Sequence, residues 1–130
     1  MQHILLIGAD NGANEQNRDA LVSEGHQADI AASVTEGLTA LDAGRYGCVV
    51  ADIGLSGGDE FSLCKTIREK ARDAALILLG GPAVGIGDDS GYFTRLYNAG
   101  CDMSLPKPYT PKELCARAHI AMRRRWGEHL

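Results

Sequence analysis

Five times along this chain a short apolar run is followed by a loop and then by a stretch with helical spacing, and that alternation constrains the fold more than any other feature. The runs are His3-Ile4-Leu5-Leu6-Ile7, Gln27 to Ala32, Cys48 to Asp52, Ala75 to Leu79 and Cys101 to Leu105. Runs this short, bounded by Gly, Asn and Asp, predict strands. Ala75 to Leu79 is continuously apolar, as a strand covered on both faces must be. Helices are predicted between them. One runs from Asn14 to Glu24 and stops at Gly25. A second opens at the capping box Ser33-Val34-Thr35-Glu36 and reaches Gly44. Asp59 caps a third, whose apolar stripe is Phe61, Cys64, Ile67 and Ala71. The fourth spans Ser90 to Ala99. Thr110-Pro111-Lys112-Glu113 combines an N-cap, a first-turn proline and a capping-box acid, and starts a fifth helix that runs to about Arg125. Strand and helix in strict alternation give an α/β fold, a parallel sheet with helices on both faces.

At 130 residues the chain makes one domain, expected over residues 1–125, with 126–130 as a C-terminal tail or the start of a linker. Such a domain buries about two-thirds of the surface its unfolded chain exposes, so it needs no disulfide or metal to hold it. Cys48, Cys64, Cys101 and Cys115 form no C-x-x-C pair and sit in or beside apolar runs, as small core residues of a reducing compartment do. No apolar run approaches the roughly 18 residues of a membrane span, and Met1-Gln2-His3 leads into a strand rather than a signal peptide. A cytoplasmic location with no membrane contact is expected. The net charge of -4 argues against a nucleic-acid surface on the body of the domain, although Arg123-Arg124-Arg125 end it with a basic cluster.

The third run stops at Asp52 and a glycine-rich loop, Gly54-Leu55-Ser56-Gly57-Gly58, follows. In an open parallel sheet the carboxyl ends of the strands are where ligands bind, so Asp52 is the best-placed reactive side chain. Taken alone, an Asp after a strand reads as a turn cap. The stretch Gly80 to Asp89 is a long loop that overhangs the same edge, where a metabolite or partner segment could dock. It does not fit a phosphate cradle, because Pro82 removes a donor and the spacing is not G-x-G-x-x-G. Tyr92, Phe93, Leu96 and Tyr97 exceed what one core face needs. His3, His26, His119 and His129 are read as surface residues.

Taken together, Val49-Val50-Ala51-Asp52 with Asp59 downstream, Lys65-Thr66-Ile67-Arg68, and Ala99-Gly100-Cys101-Asp102 leading to Lys107-Pro108 closely resemble the receiver domain of two-component response regulators. The resemblance covers His3 to Arg125. It implies a flavodoxin-like (CheY-like) fold with strand order 2-1-3-4-5, and a regulatory domain rather than an enzyme. It also implies that Asp52 is the phosphoacceptor for a histidine kinase or other signalling protein, with Lys107 as its cationic partner and Pro108 behind a cis peptide. The last helix resembles those of receivers that precede a winged-helix DNA-binding domain, which implies a fused output domain and a possible homodimer through helix four, strand five and helix five. Of the charges that stitch such dimers, two positions here hold Met103 and His119, while Asp102 and Arg117 remain.

The departures bear on the chemistry. The family's paired acids after strand one fall on Gly8 and Ala9, with Asp10 one residue late; its strand-four Ser/Thr falls on Gly80 and its strand-five aromatic on Ser104. Phosphoryl transfer to a carboxylate is catalysed by neutralisation and positioning, and Mg²⁺ wants near-octahedral oxygens. Asp52 with the Gly54 carbonyl makes a poor site unless Asp10 swings in, so the expected cofactor is none or weakly held Mg²⁺. Gly80 has no hydroxyl to pull inward and Ser104 no ring to follow it. The expectation is an atypical receiver with weakened or lost phosphorylation. The alternatives are an ordinary receiver using Asp10 as metal ligand, and a ligand-sensing or protein-docking module using the same cleft.

Overall fold

A computed structural model describes residues 2–81 and 91–127. Five strands, β1 (His3–Ile7), β2 (Gln27–Ala31), β3 (Cys48–Asp52), β4 (Ala75–Leu79) and β5 (Met103–Leu105), form one parallel sheet in the order β2-β1-β3-β4-β5. Five helices accompany them: α1 (Asn11–Ser23), α2 (Val34–Ala43), α3 (Glu60–Lys70), α4 (Tyr92–Asn98) and α5 (Pro111–Trp126). This is the flavodoxin-like topology that the alternation and the resemblance implied.

Side chains alternate across the sheet with the period of two that a strand imposes. Leu5, Ile7, Val49, Ala51, Leu76 and Leu78 face a core closed by α2, α3 and α4. Ile4, Leu6, Cys48, Val50, Ala75 and Ile77 face the other way, onto α1 and α5. Each fully buried Leu or Ile contributes roughly 1.5–3 kcal/mol relative to exposure. The three layers are thereby fixed by the strand sequences themselves.

Several element ends differ from the sequence expectation, each for a local reason. α1 begins at Asn11 because Asp10 is its cap, with Oδ1 accepting from the Ala13 N–H at 3.1 Å. At α2, Ser33 Oγ accepts from the Glu36 N–H, but the Glu36 carboxylate reaches the Ala32 N–H at 2.7 Å, so the reciprocal half of the expected box falls one residue early. Asp59 caps α3 through the Ser62 N–H, and the buried stripe of that helix is Leu63, Cys64 and Ile67, with Phe61 and Ala71 at its margin. β5 starts at Met103 because the Cys101 N–H bonds back to Leu96 O and the Asp102 N–H to Leu76 O. Thr110 and Glu113 complete the full capping box of α5. That helix ends on Trp126, whose Nε1 donates to Asp73 O at 2.9 Å and whose ring leaves no room for a side chain at Gly47. Trp126 thus belongs to the packed domain rather than to a tail. Of the loop expected from Gly80 to Asp89, residues 82–89 lie outside the described residues, as does position 90, where the fourth helix was expected to start.

The amino-terminal edge of the sheet, opposite Asp52, is tied by one guanidinium. Arg68, in the last turn of α3, donates to the carbonyls of Gly100, Ala71, Arg72 and Ala74 and to Asp102 Oδ2 at 3.0 Å. Asp102 also accepts from the Leu76 N–H at 2.8 Å and from Arg125 at 3.2 Å. The expectation that Asp102 is presented outward as an interface acid is therefore corrected: its side chain is 11 % exposed and satisfied within the domain.

Candidate functional site

Parallel strands deliver their carboxyl ends to one edge, and here that edge gathers Gly8 and Asp10 after β1, Asp52 at the end of β3, Gly80 after β4 and Lys107 after β5. Asp52 is extended (φ -81°, ψ 131°) and caps a short 3-10 turn, Ile53–Leu55, with Oδ1 accepting from the Gly54 N–H at 2.8 Å. The turn-cap reading of Asp52 is thus the one its hydrogen bonding shows, at the strand-end edge of the sheet. Lys107 Nζ lies 3.0 Å from Oδ1 and 2.8 Å from Oδ2 of Asp52. The Lys107–Pro108 peptide is cis. Asp52 is 19 % exposed and Lys107 50 %, so the pair stands at the mouth of a cleft rather than in the core.

That cleft, about 320 Å³, is walled by Asp10, Asn17, Asp52, Lys107, Pro108 and Tyr109 among others. Asp10 and Asp52 share it, and Asp10 Oδ1 reaches forward to cap the first turn of α1. The space beside the strand-one end is filled by a neutral group. Asn14 Nδ2 donates to Gly8 O at 2.8 Å, and Asn14 Oδ1 lies 3.0 Å from where a Cβ on Gly8 would stand. Asn17 Nδ2 donates to the Tyr109 hydroxyl at 2.9 Å. Gly54 enters the site through its N–H. Among the described residues, no group of three or more His, Cys, Asp or Glu side chains is arranged to hold a metal ion.

Sequence reasoning missed Asn14, Asn17 and Tyr109. A signal was available for the two amides. With Leu21 they fall at i, i+3 and i+7, the stripe of α1 that faces inward, and amides on a buried stripe mark a polar cleft above it.

Gly80 and Ser104 are placed by packing. Gly80 has φ +92°, and a Cβ there would come within 2.7 Å of Ile53 Cγ2 and 3.3 Å of Lys107 Cε. The position excludes a side chain in this conformation, which goes further than the lack of a hydroxyl. Ser104, on β5 opposite Leu78, has its Cβ 3.3 Å from where one on Gly81 would stand. On α4, Leu96 is buried, Tyr92 donates to Glu60 Oε2 at 2.8 Å and stacks edge-on to Phe61, and Tyr97 is the exposed aromatic. Of the described histidines none is buried: His119 is exposed, His3 bonds to Asp29 at 2.7 Å against the Tyr46 ring, and His26 Nδ1 accepts from the Gln2 N–H. His129 lies outside the described residues.

The family model for the response regulator receiver domain matches residues 4–119. The chain belongs to that family. This receiver domain is 27% identical over 124 residues to the transcriptional regulatory protein PcoR of Escherichia coli, covering 95% of this chain and 53% of that protein. It is 31% identical over 105 residues to the transcriptional regulatory protein TcrA of Mycobacterium tuberculosis, covering 81% of this chain and 40% of that protein. The receiver chain thus spans about half or less of the length of these curated relatives. Its fold matches a CheY-like response regulator receiver domain protein from Methanospirillum hungatei with a TM-score of 0.80, at 22% identity and 96% coverage of both chains. No helix among the described residues is long and apolar enough to cross a membrane.

Proposed function

We propose that this receiver domain of a two-component response regulator transmits its signal with weakened or absent Mg²⁺-dependent phosphorylation of Asp52. One observation carries the reading. The strand-one end offers Gly8 and Ala9 with the Asn14 amide packed against the first, while both Asp52 oxygens are bound to Lys107 and one also to the Gly54 N–H. Mg²⁺ usually takes one or two carboxylates with several waters and demands near-octahedral geometry. The donors present fit it poorly, since one oxygen of Asp10 is given to a helix cap and both oxygens of Asp52 face the Lys107 ammonium. Without that cation, phosphoryl transfer onto a carboxylate brings like charges together with little neutralisation.

As a regulatory domain, the chain would act through a histidine kinase or another signalling protein, in the cytoplasm, with a DNA-binding output domain on the same polypeptide. The names of PcoR and TcrA, both transcriptional regulatory proteins, and the half-length match to them support the last point. The competing reading is an ordinary receiver with Asp10 as metal ligand.

A Mg²⁺ titration followed by amide NMR separates the two. The proposal expects no saturable shifts at Asp52 and Gly54 in the millimolar range. Saturable shifts that include Asp10 and Ala13 would establish the competitor.

A further inference from the structure

The four cysteines are free thiols, and the sheet divides them. Cys64 of α3 and Cys101, just before β5, belong to the core closed by α2, α3 and α4. Cys48 faces the opposite core, and Cys115 of α5 packs at the margin of that second core. Of the possible pairings among the four, Cys64 with Cys101 is thus the one within the α2–α3–α4 core.

Cys64 and Cys101 are held against each other by contacts on either side. Arg68 lies one helical turn beyond Cys64, and it donates to Gly100 O, next to Cys101, through Nε at 3.0 Å and through a second guanidinium nitrogen at 2.7 Å. Its stem also closes over Gly100, where a Cβ would stand 2.8 Å from Arg68 Cβ. On the other side, Cys101 Sγ lies 3.1 Å from Met103 O. Between these anchors the two thiols hydrogen-bond to each other. They are not equivalent. The bond from Cys101 lowers the Cys64 pKa, helped by the Arg68 charge and opposed by burial and Glu60, whereas that same bond and burial raise Cys101. Burial also raises Cys48 and Cys115. Cys64 therefore joins the two properties a redox-active cysteine needs, thiolate character and a resolving thiol beside it.

We propose that Cys64 and Cys101 are a modification site, closing to a reversible disulfide when the domain meets hydrogen peroxide. The Cys64 thiolate attacks one peroxide oxygen, the O–O bond breaks, and the departing hydroxide takes up the proton that Cys64 released, leaving a sulfenic acid and one water. The Cys101 sulfur then attacks the Cys64 sulfur. The S–S bond forms, the S–O bond breaks, and the hydroxyl leaves with the Cys101 proton as a second water. Two thiols are oxidised by two electrons in all and one peroxide is reduced by the same two. Both side chains are 1 % exposed, so the peroxide enters when the α3–α4 layer opens locally, and the reaction is slower than at a surface thiol. The bond closes a loop that contains β4 and α4, tying α4 and the entry to β5 onto α3 and stabilising the domain. This input does not pass through Asp52, so it is independent of whether Asp52 is phosphorylated.

The test treats the intact, fully reduced chain with hydrogen peroxide under native conditions, alkylates the remaining thiols in denaturant and maps the peptides by mass spectrometry without reduction. The expected product is a cross-linked Cys64–Cys101 peptide with Cys48 alkylated. The oxidised chain should show a higher urea midpoint than the reduced one, and dithiothreitol should reverse both changes. Cys48→Ala/Cys115→Ala should still form the bond, and Cys64→Ser should not. If Cys64→Ser fails to fold, Cys101→Ser takes its place, and the peptide map of the wild-type chain decides the pairing without either variant. Recovery of Cys64 and Cys101 in alkylated form overturns the proposal, as does a bond from either of them to Cys48 or Cys115. A cross-link that forms only when peroxide is added in urea belongs to the unfolded chain and also overturns it. So does a cross-linked chain whose urea midpoint is no higher than that of the reduced chain.

Discussion

Asn14 is bonded to Gly8 by its amide nitrogen at 2.8 Å, and its amide oxygen lies 3.0 Å from the point a Cβ on Gly8 would occupy. A neutral side chain from α1 therefore fills the place at the end of β1 where the wider family keeps a carboxylate. Position 8 is not an empty socket waiting for an acid, and that distinguishes a rebuilt site from one that has merely lost a residue.

Gly8→Asp should accordingly destabilise the domain, by about 1–3 kcal/mol as over-packed sites do, unless Asn14 is shortened at the same time. Urea denaturation checks this. Gly8→Asp should lower the midpoint, and Asn14→Ala in the same chain should recover part of the loss. An unchanged midpoint in the single variant would show that Asn14 yields without cost.

Two ion pairs invite a direct comparison of magnitude. Lys107 is half exposed, so Lys107→Ala should cost no more than about 1 kcal/mol. Arg68 is 16 % exposed and serves four carbonyls as well as Asp102, so Arg68→Ala leaves several acceptors unpaired and should cost about 3 kcal/mol or more. Equal losses in the two variants would contradict the structure. The contrast also separates roles, since the weaker pair sits at the candidate site and the stronger one holds α3, β5 and α5 together.

Gly80→Ser should not restore a phosphoryl-binding hydroxyl. Its φ of +92° and the 2.7 Å approach to Ile53 Cγ2 mean that any side chain must move the turn. A cost of about 1–3 kcal/mol is expected for holding a non-glycine residue in that region. A thermal melt at or above the wild-type value would show the turn to be adaptable.

The pH dependence of stability has a named contributor in His26. Burial depresses its pKa below the ordinary 6.5, a direction reinforced by neighbouring positive charge and opposed by Glu24. The unfolded chain takes up this proton near pH 6.5 while the folded one resists it. The stability associated with His26 is therefore whole above pH 6.5 and is lost as pH falls below that value. His26→Gln should flatten the urea midpoint between pH 7.5 and 5.5 relative to wild type. Parallel slopes in the two chains would remove His26 from the account.

The fold was legible because each local signal agreed with the rest. Asp52 ends an apolar run, Thr110 to Glu113 spell a complete helix start, and Ala75 to Leu79 has the length and the unbroken apolar character of a buried strand. The site was legible where it depends on strand ends, as at Asp52 and Lys107. It was opaque where it depends on a helix face seen from inside. Asn14 and Asn17 read as ordinary surface amides until α1 is docked on the sheet, and the sequence leaves open whether Asp10 turns to the cleft or to the donors of its own helix, which it caps. Asp102 was read as outward because its partners Arg68 and Leu76 lie far away in sequence, and no local pattern announces them.

The central claim is that Asp52 is not an efficient Mg²⁺-dependent phosphoacceptor, and intact mass spectrometry after incubation with acetyl phosphate and millimolar Mg²⁺ tests it most directly. The structure predicts a spectrum dominated by unmodified chain, little changed when the metal is chelated. Near-complete addition of one phosphoryl group, dependent on Mg²⁺ and abolished in Asp52→Asn, would contradict it.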